Sequence, residues 1–312
     1  MKAKTIKKII KAKVDDWLSS IEDETVRELA SKNTVVTGGC IASMLLKEPV
    51  NDFDLYFTNK ETTVAVAKYY VNRFHSKNKA GIEVPIYVDH DTDRVRIVVK
   101  SAGVASEEGT EKPYEYFEGR PDGEAGEYVS DVLGDAGDIE EALENTTDAA
   151  LAVDDGKPKY RPVFLSTNAI TLSHKVQIVL RFYGSADTIH ENYDYVHCTN
   201  YWTSKDDELV LRQPALESLL ARELRYVGSK YPICSVIRLR KFIKRGWTVN
   251  AGQILKMMLQ ISELNLKDHA VLQDQLTGVD AAYFVQLVSK VKENDPEKVN
   301  SAYLVEIIDR MF

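Results

Sequence analysis

Cysteine is scarce in this chain. Cys40, Cys198 and Cys234 are too few and too scattered for a disulfide framework or a CxxC metal site. A reducing, cytoplasmic setting is the expectation. Long apolar runs are also missing. None approaches the roughly 20 residues that a membrane span needs, so no membrane partner is expected. The opening "MKAKTIKKIIKAKVDDW" is basic but lacks an apolar centre and a small-residue cleavage site. It reads as an amphipathic helix, not a leader. No internal repeat is found. His174, His190 and His197 have no helical spacing or cysteine partner that would suggest a metal site.

What is present is ordinary bulk composition with an uneven charge. The 312 residues are 44% hydrophobic and 28% charged, enough for roughly two globular domains. The net charge of -8 argues at first against nucleic acid. Yet residues 101–160 hold 17 acidic and 4 basic side chains, which leaves the remaining chain at +5. That stretch reads as an acidic insertion, with a helix expected around "DIEEALENTTDAALAV".

The patterning predicts two helices over 5–31, with Ile6, Ile9, Ile10, Val14, Trp17 and Leu18 at helical spacing. "NTVVTGG" reads as a strand ending in a turn, "CIASMLLKE" as a helix stopped at Pro49, and "VNDFDLYF" as a strand. "ETTVAVAKYYVNRFHSK" returns to helical period. "EVPIYVD", "RVRIVVKSA", "NAITLS", "KVQIVLRF" and "DYVHCTNYW" read as further strands, with a turn or two of helix at "SADTIHENY". From Gln213 onward the pattern is helical to the end, with Met257 and Met258 as core. The expected divisions are N-terminal helices at 1–32, an α+β head at 33–204 carrying the insertion, and a helical domain at 205–312.

The stretch "TGGCIASMLLKEPVNDFDLYF" carries the chemistry. Asp52 and Asp54 at i and i+2 on a strand would project from one face, with Phe53 and Leu55 turned into a core. Two adjacent carboxylates call for a cation, and magnesium prefers oxygen ligands on rigid backbone. Gly38 and Gly39 precede a helix. Glycine lets backbone approach a phosphate, and a helix N-terminus offers free N–H donors. On a predicted helix, Arg238, Lys241 and Arg245 recur at i, i+3 and i+7, which suits a triphosphate or an RNA backbone.

This stretch resembles the signature of the DNA polymerase β-type nucleotidyltransferase superfamily. It is most similar to the head domain of tRNA nucleotidyltransferases and poly(A) polymerases, with pattern GGxVRDxLLGxxxxDxDL. The resemblance implies an α+β fold: a minimal polymerase-β-like head, a mixed sheet with helices, followed by an all-α C-terminal domain. It implies template-independent transfer of a nucleotide from an NTP, ATP among them, to an acceptor hydroxyl, expected to be an RNA 3′ end as in tRNA processing. Two Mg²⁺ ions, replaceable by Mn²⁺, would sit on Asp52 and Asp54. A third carboxylate is expected on a later strand, with Asp194 in "NYDYVHCTNYW" as the candidate and Asp187 and Asp89 as weaker ones. Gly38 and Gly39 would cradle phosphates. The family's Arg-Asp after the glycines is Ala42-Ser43 here, and Lys47 is the candidate to take that role. "ALESLLARELRYVGSKYPICSVIRLRKFIKRGW" is similar to the family's neck, which places Arg238 and Lys241 at the nucleotide. Cys234-Ser235 stand where the neck has Glu-Asp, so base selection does not carry over. Two other readings accompany this one: nucleotide transfer to a protein or small molecule, and an inactive RNA- or protein-binding module. Tyr69-Tyr70 and Tyr201-Trp202 are candidate stacking pairs, and His197 a candidate substrate contact. Cys40 reads as a packing residue.

Overall fold

A computed structural model of the chain describes residues 1–77, 86–90, 93–99, 159–165, 168–266, 268, 271 and 275. The expected helix within the acidic insertion and the helical runs at 280–312 lie outside these residues.

Helix α1 (Ala3–Ser19) buries Ile6, Ile10, Val14 and Trp17, one stripe at helical spacing. Helix α2 (Glu24–Asn33) starts at Asp23, whose carboxylate accepts the Val26 N–H at 3.0 Å. Strand β1 (Thr34–Thr37) follows at once, then helix α3 (Gly39–Leu46), strand β2 (Phe53–Phe57) and helix α4 (Lys60–Lys77). Strands β3 (Ile86–Asp89) and β4 (Arg96–Val99) pair with each other and, among the described residues, with no other strand. Strands β5 (Pro162–Leu165), β6 (Ala169–Leu172) and β7 (Val176–Tyr183) return to the main sheet. After helix α5 (Ala186–His190) and a 3₁₀ turn (Val196–Cys198) come strands β8 (Tyr201–Thr203) and β9 (Glu208–Val210). Helices α6 (Gln213–Ala221), α7 (Pro232–Lys244) and α8 (Ala251–Ser262) complete the described chain.

Seven strands form one mixed sheet in the order β5-β6-β7-β2-β1-β8-β9. Only β2 and β7 run parallel within it; every other neighbouring pair is antiparallel. Phe53, Leu55 and Phe57 of β2 and Val176, Ile178 and Leu180 of β7 enter a core shared with α1 and α4. There the Trp17 indole N–H donates to the Tyr70 hydroxyl at 2.8 Å. A second cluster joins the helical part to the far side of α3: Ala42, Tyr195, Leu219, Leu224, Tyr226, Trp247 and Met257. This is the expected α+β plan with a helical C-terminal part.

Three sequence expectations are corrected. "DYVHCTNYW" is not one strand: Asp194 precedes the 3₁₀ turn, and only Tyr201–Thr203 pairs. Its alternation reflects Tyr195 and His197 packing into the helical layer, where the His197 ring lies 4.7 Å from Phe242 and 4.4 Å from Trp247. Strands β5 and β9 were not expected. They are the two edges of the sheet; β5 (PVFL) is a four-residue apolar run and β9 (ELV) has three residues, so neither is long enough to show alternation. Of the two methionines, Met257 is buried but Met258 is 61% exposed, beside exposed Leu255 and Leu259.

Trp17→Ala should lower the unfolding free energy by about 3–5 kcal/mol, since it empties the centre of the main core. Tyr70→Phe should cost about 1–3 kcal/mol by leaving the indole N–H without its acceptor. Urea unfolding of both variants checks this.

Candidate functional site

The site grows from the end of β1. Gly38 adopts φ 92° and ψ −153°, a region open in practice to glycine alone. Thr37 lies opposite Asp54 in the β1–β2 ladder. A Cβ on Gly38 would stand 2.6 Å from Asp54 Oδ2 and 3.5 Å from the Tyr193 hydroxyl. Backbone and carboxylate therefore touch where any side chain would separate them. Gly39 differs: a Cβ there meets nothing within 4 Å, so the turn opens outward at that residue.

The Gly38 N–H donates to the Cys198 carbonyl at 3.2 Å. It is thus held by the 3₁₀ turn, not offered to a ligand as the sequence suggested. The donors that face the opening are those of the first turn of α3, which an α-helix leaves without intrahelical partners. Behind the turn, the Thr37 hydroxyl donates to the Asn200 carbonyl at 2.9 Å and lies 2.7 Å from His190 Nε2. With the threonine proton so committed, His190 donates through Nε2.

Asp54 lies within β2, but the strand begins at Phe53, so Asp52 sits in the irregular segment before it and not on the strand. Both are half-buried. Their charges meet at the Cys40 thiol, which burial, then Asp54 and Asp52, push well above its ordinary pKa. The Cys198 thiol is pushed up by burial and then by Asp194 and Asp54, with Arg238 and Arg245 opposing. Asp54 also raises the buried Tyr56 and Tyr193 hydroxyls, after burial itself. Tyr193 donates to Tyr56 at 3.1 Å.

Asp194 is near this group but differently engaged. Its carboxylate accepts from Arg238 at 2.7 Å, and its carbonyl accepts the Val227 N–H at 2.9 Å. Among the described residues, no three His, Cys, Asp or Glu side chains are grouped to hold a metal ion. Asp52 and Asp54 fit a divalent cation: they are half-exposed carboxylates, one of them seated against backbone that a Cβ would fill. Asp194 does not fit as a third ligand in this arrangement, because Arg238 already meets its charge.

The other sequence candidates are spread out. Lys47 caps the C-terminal end of α3 at φ 63° and is exposed. An eight-residue helix, about 12 Å long, separates it from the glycine turn. Lys241 lies on α7 about one turn after Arg238, and Arg245 is that helix's C-cap. His197 is core, not surface. Tyr70 is buried against Trp17, and the Tyr69 hydroxyl accepts the Glu22 N–H at 3.1 Å. Trp202 is buried, donating to Asp207 at 3.0 Å, and Tyr201 lies beneath Arg212 at 5.3 Å. Cys40 is buried, as a packing residue would be. Asp187 pairs with Arg212, and Asp89 with Arg96 at 2.6 Å. Sequence reasoning missed Thr37, Tyr56, His190 and Tyr193. Of these, Tyr56 alone had a signal, two residues beyond Asp54 on the same strand.

A sequence profile for the family described as "Gabija anti-defense 2 family protein" matches residues 8–222. One relative, "Gabija anti-defense 2" of Bacillus phage SPbetaL7, is 22% identical over 123 residues, which is 39% of this chain and 31% of the phage protein. Among solved structures, a Thermotoga maritima CCA-adding enzyme complexed with tRNA aligns with 91% of this chain and 56% of its own, at 10% identity and a TM-score of 0.38. A tRNA-processing enzyme with CTP aligns with 88% of this chain and 58% of its own, at 11% identity and a TM-score of 0.39. The chain thus spans under a third of the phage relative and just over half of either solved chain.

Gly38→Ala should cost about 1–3 kcal/mol of stability, from the backbone region alone, while Gly39→Ala should be nearly neutral; denaturant titration separates them. A second expectation concerns acid. His190 and His197 are buried, and their pKa values are lowered to about 4, in both cases mainly by burial. Both rings leave Nδ1 without a partner. A lowered histidine pKa means that the unfolded chain binds more protons between pH 6.5 and 4. Stability should therefore fall as pH drops through that window, by up to about 3 kcal/mol per ring. Unfolding at a series of pH values should show the slope, and His197→Gln should remove its share.

Proposed function

The chain belongs to the Gabija anti-defense 2 family, and on that premise we propose that it counters the defence named there by metal-dependent nucleotidyl transfer. The observation that carries the chemistry is the seat of Asp54 against Gly38, at the N-terminus of α3. A carboxylate, a side-chain-free bend and a row of helix N–H donors meet there, which is what an incoming triphosphate and its cation require.

In this reading Asp52 and Asp54 hold the divalent cations, Mg²⁺ or Mn²⁺. When bound, the cations would neutralise phosphate charge and activate the acceptor hydroxyl. The first-turn N–H groups of α3 receive phosphate oxygens beside Gly39, where the surface is open. Gly38 keeps the carboxylate close to that turn. Arg238, paired with Asp194, brings positive charge to the side of the site where a triphosphate would lie. Lys241, one turn further along α7, adds positive charge towards the acceptor.

The acceptor favoured by charge is an RNA 3′ end, since residues 205–260 hold 11 basic and 5 acidic side chains. A second acceptor is favoured by the family's name: a hydroxyl on a protein of the opposed defence, whose modification would disable it. Incubation with labelled NTPs and Mg²⁺, with RNA or with purified defence proteins, separates the two by where the label goes. The double variant Asp52→Asn/Asp54→Asn should reduce labelling of either by about 100-fold or more. Labelling unchanged in that variant would refute the proposal.

A further inference from the structure

The sheet brings a polar row across four strands. Thr171 of β6 is opposite Gln177 of β7, Gln177 is opposite Asp54 of β2, and Asp54 is opposite Thr37 of β1. The face on which Gln177 lies is settled by its neighbours. Val176, Ile178 and Leu180 enter the main core, whereas Val179 packs with Val35 and Tyr56 on the other side. Two residues from Val179 on an alternating strand, Gln177 shares that second face with Asp54 and Tyr56. It is half-buried, like Asp54.

Neighbouring strands lie about 4.8 Å apart, so side chains directly opposite reach one shared ion. Hard divalent cations accept amide carbonyl oxygens as well as carboxylates, and ligand charge sets the affinity. We infer that Gln177 is the third protein side chain of the Asp52–Asp54 pocket, lending a neutral oxygen to the cation those carboxylates hold. The inference rests on the nucleotidyl-transfer reading. It also accounts for the third position without Asp194, whose charge Arg238 meets. Two negative charges and one amide make a weak cation site by themselves, one that needs the phosphate oxygens of a nucleotide to complete it.

Manganese binding to the full-length chain tests this, read from the electron-spin signal of free Mn²⁺ with no substrate present. Gln177→Glu keeps the side chain's shape and adds a charge, and should tighten Mn²⁺ binding about tenfold. Gln177→Ala should weaken it several-fold, and Asp54→Asn by about tenfold or more. If Asp54→Asn weakens binding while both Gln177 variants stay within about twofold of the wild type, the inference fails and the transfer reading stands. If Asp54→Asn also leaves binding unchanged, both fall. Circular dichroism checks folding. Should Gln177→Glu not fold, Gln177→Ala and Gln177→Asn, which withdraws the amide by one carbon, decide by the same measurement.

Discussion

The contact between the Asp54 carboxylate and the bare Cα of Gly38 sets the geometry of everything around it. It fixes where β1 ends, because Gly38 occupies backbone space that other residues avoid. It fixes the direction of α3, whose first turn begins one residue later. It also places negative charge beside two thiols and two tyrosine hydroxyls, whose pKa values burial raises first and this charge raises further. Those neighbours are neutral at ordinary pH.

One positive charge already lies close by. Arg238 reaches from α7 to Asp194, across the boundary between sheet and helical part. The same boundary is stitched by the Tyr195–Tyr226 bridge, by the Val196 N–H to the Arg225 carbonyl at 3.1 Å, and by the Tyr195 hydroxyl to the Ser235 carbonyl at 2.7 Å. The loop that carries Asp194 is therefore anchored as much by the helices as by the sheet. Any movement of α7 is felt at Asp194 through both its backbone and its carboxylate.

Much of this was legible in the order of residues. The strand, the glycine pair, the short helix and the second strand at 34–57 could all be read, because hydrophobic period and glycine chemistry act over a few residues. The two N-terminal helices were legible for the same reason: Ile6, Ile10, Val14 and Trp17 mark one stripe. The rest depended on distant partners. Asp194 reads as a strand residue until Arg225, Tyr226 and Val227 are seen to take its neighbours' hydrogen bonds. Lys47 reads as a phosphate ligand until α3 is seen to carry it to the opposite end. Gln177 has no local signal at all, since its meaning comes from the register of β7 on β2. His190 and Thr37 likewise meet across 153 residues of sequence.

The parallel pairing of β2 with β7 has a further consequence. Asp54 and Gln177 are 123 positions apart in sequence but directly opposite in the ladder. Contacts of such long range form slowly, because a large loop must close before they are rewarded. On the ribosome, the strand that carries Asp54 emerges long before the strand that flanks it. For that interval its edge is bare, and the nascent chain has the two acids but no pocket around them.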